Sequence, residues 1–122
     1  MAVDYSAFKA GDDSERKDVL RSFYSDLVRL NKEDQVKKIV EFIENVARET
    51  DDEEYEHICR LSMEVFLSLK NVDLKELMAV RLEAQFELPE EDRLVDSINL
   101  LKAIESMPER DRLLEMIRGI ER

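Results

Sequence analysis

The side chains best suited to metal chemistry lie around His57, the one histidine of the chain. The segment Glu54-Tyr55-Glu56-His57 contains a Glu-x-x-His motif, which some helical bundles use to hold a pair of metal ions. Such carboxylate-bridged sites need two of these motifs and two further inward-facing glutamates. Because a second histidine is missing, the sequence predicts no metal site of this kind. We expect His57 to lie beside a buried stripe with its ring partly solvated.

Paired carboxylates at helical spacing suggest a second kind of chemistry. The pairs are Glu41 with Glu44, Glu53 with Glu56, and Glu49 with Asp52. Carboxylate oxygens suit Mg²⁺, so one hypothesis is a small magnesium-dependent helical hydrolase built from the carboxylates of residues 41–56. Two of the pairs, at 41/44 and 49/52, are too close together to lie mid-way along two facing helices. Solvated helix faces are the simpler interpretation.

Nucleotide binding and nucleophilic catalysis find little support in the sequence. Its two glycines are Gly11 and Gly119, so the interior lacks the glycine-rich loops that cradle phosphates. Cys59 and His57 are two residues apart, which places them roughly 200° apart around one helix. We therefore expect Cys59 to be buried as a small apolar side chain. We expect no cofactor and favour a protein that is not an enzyme.

Acidic charge is concentrated in the middle of the chain. The net charge is −11, and residues 49–92 carry 14 acidic and 4 basic side chains. Such a field repels nucleic acid and anionic membranes and attracts basic surfaces. The sequence therefore favours a non-catalytic interaction module with an acidic surface, which binds a basic protein partner or self-associates, for example as a dimer. The residues expected to bind the partner are Asp51, Asp52, Glu53, Glu54 and Glu56.

The composition indicates a helical protein of the cytoplasm. A length of 122 residues suits one domain, and 43% hydrophobic residues suffice for a core. The scarcity of glycine disfavours sheets with tight hairpins. One cysteine excludes an internal disulfide framework and fits a reducing compartment. The apolar runs are far shorter than the ~20 residues that cross a membrane.

Apolar spacing and capping residues predict six helices. They are expected to begin near Asp12 to Ser14, Asn31, Thr50 to Asp52, Asp73, Pro89 and Ser106. The third helix is apolar more than half-way round over residues 61–69, so we expect it to be central or part of an oligomer interface. Residues 81–88 alternate as a strand would, but they are good helix formers without a partner strand. We predict that they are helical.

These helices predict an all-α fold. Short connectors favour antiparallel neighbours, which gives a compact bundle of about six antiparallel helices in three hairpins, with a short α-solenoid as the alternative. We expect residues 1–122 to form one domain and residues 1–12 to be a flexible or loosely docked segment. Ser106 and Glu109 are spaced as a capping box for the last helix, with Pro108 in its first turn. The apolar stripe predicted for the fifth helix is Leu94, Ile98, Leu101 and Ile104.

Overall fold

The computed structural model describes residues 3–121, apart from the side chains of Glu49 and Glu121. These residues form seven α-helices and no strand, which confirms the all-helical prediction. The helices are α1 (Tyr5–Ala10), α2 (Asp13–Leu27), α3 (Lys32–Glu49), α4 (Asp52–Ser68), α5 (Leu74–Phe86), α6 (Glu90–Glu105) and α7 (Arg110–Glu121). They pack against each other as a compact bundle. Among them we find no helix that is both long and apolar enough to cross a membrane.

Side-chain caps explain why four of the helices begin where the sequence predicted. Asp12, Asn31, Asp51 and Asp73 each accept a hydrogen bond from the backbone N–H three residues later, at 2.8 to 3.1 Å. Glu15 also bonds back to the N–H of Asp12 and completes a capping box. These caps satisfy backbone donors that the first turn of a helix leaves unpaired. The signal is local, so the sequence alone locates these helix starts.

The start of α7 differs from the prediction. Ser106 ends α6 instead of capping α7, because its hydroxyl donates to the carbonyl of Ala103 at 2.7 Å. Its backbone N–H bonds the carbonyls of Ala103 and Lys102. Pro108 lies in the turn that follows, and α7 begins at Arg110. The capping box predicted at this position is wrong because the serine already satisfies carbonyls of the preceding helix.

Helix α1 lies within the N-terminal segment, for which the sequence predicted no helix. Phe8 is 2% exposed and packs against Phe42 of α3, with 5.6 Å between the ring centroids. Arg16 of α2 donates hydrogen bonds to the carbonyls of Phe8 and Lys9 at the end of α1. Residues 5–10 are thus docked on the bundle, where a flexible or loosely docked segment was expected.

Helix α4 is deeply buried, as predicted, and packs against α2 and α6, but α6 is the more central helix because it contacts α3, α4, α5 and α7. Its buried side chains are Tyr55, Ile58, Cys59, Leu61, Met63, Val65 and Phe66. At 100° per residue they cover about 200° of the helix circumference. An apolar surface this wide allows α4 to contact a helix on each side.

Second neighbours in the chain make the closest helix contacts. Helix α2 packs with α4 and α4 with α6, while α3 packs with α5 and α5 with α7. Within the predicted hairpins, α2 with α3 and α4 with α5 make weaker contacts than these second neighbours. Most helices therefore pack mainly against the helix after next in the chain, and not against the next one.

The predicted apolar stripe of α6 is wrong for three of its four residues. Leu94, Ile98 and Leu101 are 54%, 52% and 42% exposed, whereas Ile104 is fully buried. The side of α6 that faces the core carries Asp96, Asn99, Leu100, Ala103 and Ile104. Two polar side chains thus occupy the inner face, and an apolar row occupies the outer face. Asp96 faces inward because it pairs with Arg81 inside the bundle, at 2.7 Å.

Candidate functional site

A polar cluster lies at the centre of the bundle, where α4, α5 and α6 meet. The side chain of Asp96 is fully buried and its carboxylate accepts four hydrogen bonds. The guanidinium of Arg81 donates two at 2.7 Å each, the hydroxyl of Tyr55 one at 2.6 Å, and the amide of Gln85 one at 2.8 Å. We call Tyr55, Arg81, Gln85 and Asp96 the Asp96 cluster.

The Asp96 cluster holds an ion pair and does not suit proton transfer. Burial opposes the charge of the carboxylate, but Arg81 and the hydrogen bonds hold the pKa of Asp96 below its usual value. Burial, with the neighbouring Asp96 charge, raises the pKa of Tyr55. Each carboxylate oxygen already accepts two hydrogen bonds, so little capacity remains for a substrate.

A small cavity adjoins the Asp96 cluster. Its volume is about 40 Å³ and its wall is mostly apolar, with Tyr24, Cys59 and Ser62 among its polar members. The hydroxyls of Tyr24 and Ser62 bond each other at 2.7 Å. A space of this size has room for about three water molecules. It is far smaller than the clefts of roughly 300 Å³ or more that hold metabolites.

The thiol of Cys59 is poorly suited to nucleophilic chemistry. It is 6% exposed, as the sequence predicted, and burial raises its pKa to about 12. A thiol with such a pKa stays protonated near neutral pH and is a weak nucleophile. The ring of His57 is partly solvated and contacts Asp13 of α2, with 2.9 Å between Nε2 and Oδ1. This contact lowers the pKa of Asp13 through the hydrogen bond from His57.

The five carboxylates predicted to bind a partner lie in the first turns of α4 in different environments. Asp52 and Glu53 are exposed and make no ion pair within the described part of the chain. Asp51 is exposed too, but it caps α4 by accepting the N–H of Glu54 at 2.8 Å. Glu56 is half-buried. Asp52 and Glu53 and, in part, Glu56 are therefore the accessible side chains of this set that form no hydrogen bond or ion pair of their own within the described residues.

Glu54 has a structural role that the sequence did not predict. Its carboxylate pairs with Arg16 of α2 at 2.7 Å. Arg16 is 7% exposed, and its guanidinium lies 5.9 Å from the ring centroid of Phe8. Since Arg16 also binds carbonyls at the end of α1, this ion pair links α1, α2 and α4.

The carboxylates of the hydrolase hypothesis do not converge on one cleft: Glu41 lines a surface cleft of about 480 Å³ beside Asp18 and Asp26, whereas Glu44, Asp52, Glu53 and Glu56 lie outside it. Glu41 and Glu44 pair with basic side chains of their own helix, at 3.9 and 3.5 Å. The side chain of Glu49 lies outside the described residues. Among the side chains that the structure describes, no three of His, Cys, Asp or Glu are grouped closely enough to hold a metal ion. The hypothesis gains no support from these positions.

A row of exposed apolar side chains runs along the outer face of α6. Leu94, Ile98 and Leu101 are four and three residues apart, so they fall within about 60° of the helix circumference and span about 10 Å. We call these three residues the outer strip. Exposed apolar side chains that are contiguous, rather than scattered singly, are candidates for an interaction surface.

The Asp96 cluster was missed because polar residues were assigned to the surface. Arg81 and Gln85 are four residues apart, and both fall between the buried apolar residues Leu77 and Met78 on a helical projection of α5. Polar side chains in the middle of an apolar face are a signal of a buried partner. The strand-like alternation at residues 81–88 arises from these inward-facing polar residues.

Comparison with known proteins places no further limit on the site. The chain matches no protein-family model, no curated protein and no solved structure. Its function is therefore inferred from its own side chains.

Proposed function

We propose that this chain is a non-catalytic protein-interaction module that binds a basic protein partner through its acidic surface. The observation that carries the proposal is the outward position of the carboxylates at the start of α4, where Asp52 and Glu53 are exposed. A hydrolase needs carboxylates that converge in a cleft, whereas a binding module needs them outside. Residues 49–92 carry a net charge of −10, with 14 acidic and 4 basic side chains. Such a field attracts basic side chains and steers their approach.

The interior supports the same proposal. Asp96 is engaged by Arg81, Tyr55 and Gln85, and Cys59 is buried with a raised pKa. The cavity beside them, at about 40 Å³, is too small for a metabolite. Asp96 and Cys59, the described groups that most resemble catalytic residues, thus stabilise the bundle.

Binding to a basic partner should weaken steeply with salt, because screening slows the association of opposite charges. The experiment is capture of partner proteins from a native lysate at low and high salt. The test variant is Asp52→Asn/Glu53→Gln/Glu56→Gln, in which we expect weaker capture and an unchanged circular dichroism spectrum. Asp51 and Glu54 are kept, since loss of the Asp51 cap alone costs about 1 kcal/mol and Glu54 holds Arg16.

A matched control separates local contacts from net charge. Glu109→Gln/Asp111→Asn/Glu115→Gln neutralises three exposed carboxylates in and just before α7. We expect this control to capture the partner like the unaltered protein. The proposal would be contradicted if capture of the partner did not depend on salt and if both variants captured it equally well. A rise in Tm with millimolar Mg²⁺, lost on neutralisation of Asp52, Glu53 and Glu56, would instead favour the hydrolase.

A further inference from the structure

Helix α6 carries apolar side chains on two nearly opposite faces. The inner face includes Leu100 and Ile104, which are 2% and 0% exposed. The outer strip points roughly 160° away from the inner face on a helical projection. A helix needs one apolar face to pack on its own domain. The outer strip is therefore surplus to the packing of this bundle.

Carboxylates lie at both ends of the outer strip. Glu90 and Glu91 are exposed in the first turn of α6, and Glu105 is exposed at its last residue. All three fall within about 50° of the centre of the strip on a helical projection. Lys102 is an exposed cation beside the strip, while Arg93 is half-buried and lies 6.0 Å from the ring centroid of Phe86. The ends of the strip are thus acidic and its middle is apolar.

This charge arrangement disfavours a second copy of the chain as the occupant. In antiparallel docking, Glu90 and Glu91 of each copy would meet Glu105 of the other. In parallel docking, each of these carboxylates would meet its own counterpart. Like charges placed together across an interface oppose binding, and the net charge of −11 adds repulsion. Three side chains over about 10 Å also provide less area than the roughly 800 Å² that each partner of a stable dimer buries.

We infer that the outer strip docks an amphipathic helical segment of a partner protein, apolar in its middle and basic at both ends. This inference rests on the proposed function and adds to the carboxylates of α4 a second binding surface, with the partner chemistry that fits it. The apolar residues of the segment cover Leu94, Ile98 and Leu101. Its lysines or arginines meet Glu90 and Glu91 at one end and Glu105 at the other. The apolar contact supplies affinity, and the end charges select the partner.

Two designed helical peptides of about 18 residues, long enough to form a helix, test the inference. They share one apolar face, and one has lysines at both ends where the other has glutamates. Fluorescence anisotropy measures their binding to the full chain. We expect the basic peptide to bind and the acidic peptide to bind about tenfold more weakly or worse.

Variants of the protein locate the binding site. Leu94→Gln/Ile98→Gln should weaken binding of the basic peptide about tenfold, with the circular dichroism spectrum unchanged because both side chains are exposed. The matched control is Val28→Gln, which changes an apolar residue that is 39% exposed just after α2. We expect no effect of this control. Glu90→Gln/Glu91→Gln/Glu105→Gln should weaken binding and flatten its salt dependence.

Several outcomes would overturn the inference. Equal binding of the two peptides would refute the role of the end charges. If Leu94→Gln/Ile98→Gln binds the basic peptide as tightly as the unaltered protein, the outer strip is not the site. If the inference fails in this way but neutralising Asp52, Glu53 and Glu56 still weakens capture of the partner, the proposed function stands. If neutralising them has no effect on capture, the proposed function fails as well. A dimer in sedimentation that Leu94→Gln/Ile98→Gln dissociates would assign the strip to a second copy.

Discussion

Replacing Asp96 by leucine leaves Arg81 in the interior without a counter-ion. The side chain of Arg81 is 13% exposed, and its guanidinium loses two hydrogen bonds of 2.7 Å. Tyr55 and Gln85 each lose the acceptor for one hydrogen bond. Removing one partner of a buried ion pair typically costs about 3–5 kcal/mol. We therefore expect Asp96→Leu to lower the free energy of unfolding by about 3–5 kcal/mol, measured by urea unfolding followed by circular dichroism.

A double substitution identifies the ion pair as the cause. Arg81→Met/Asp96→Leu removes both charges, and replacing a whole buried pair by apolar residues is often nearly neutral. Tyr55 and Gln85 still lack an acceptor, at about 1–3 kcal/mol each. The double variant should be no less stable than Asp96→Leu alone, so the two substitutions are strongly coupled. The surface control is Asp18→Ala, which removes a 2.8 Å ion pair between Asp18 and Arg21. The side chain of Asp18 is 74% exposed, so this substitution should lower the free energy of unfolding by less than about 1 kcal/mol.

The pH dependence of stability provides a second measurement on the same group. The pKa of Asp96 is lower in the folded protein than in the unfolded chain. Its contribution is therefore fully present above the unfolded pKa of about 4 and is lost as the pH falls towards the folded pKa. The unaltered protein should lose more stability below about pH 4 than Asp96→Leu. A cost below about 1 kcal/mol for Asp96→Leu would refute the reasoning, and so would a double variant whose cost equals the sum of the costs of Asp96→Leu and Arg81→Met measured singly.

The remaining predictions concern the core around α4. Phe66→Ala should cost about 3–5 kcal/mol in urea unfolding, because Phe66 is 2% exposed; Leu67→Ala, at a partly buried position about 100° away, should cost clearly less. Cys59 should react with a bulky thiol reagent only after denaturant is added, because burial raises its pKa to about 12; rapid native labelling would show that this face is open. Tyr55→Phe should lower the free energy of unfolding by about 1–3 kcal/mol by removing a hydrogen bond to a charged acceptor, and a neutral result would mean that the hydroxyl does not stabilise Asp96.

Local signals predicted the helix starts, and long-range contacts account for most of what the sequence did not predict. Asn31, Asp51 and Asp73 cap their helices through a backbone group three residues away, which the sequence displays directly. Helix α1 has only six residues and depends on the distant Phe42 and Arg16. Short helices of this kind are unstable without tertiary contacts, so their own sequence predicts them poorly.

The prediction chose the wrong buried face of α6 for the same reason, a long-range contact. Helical periodicity assumes that apolar residues face inward, but Asp96 faces inward because it binds Arg81, 15 residues earlier in the chain. The environments of the five carboxylates at the start of α4 could be predicted only in part for a similar reason. The exposure of Asp52 and Glu53 agrees with their expected place on the surface. The pairing of Glu54 with Arg16 spans 38 residues and is not visible in the local pattern.

The association rate of the captured partner, measured against ionic strength, tests the central claim most directly. The claim is that the acidic surface steers a basic protein to this chain. It predicts that the rate falls steeply with added salt, and that Asp52→Asn/Glu53→Gln/Glu56→Gln lowers the rate at low salt and flattens its salt dependence. The same rates for the unaltered protein and this variant at every ionic strength would contradict it.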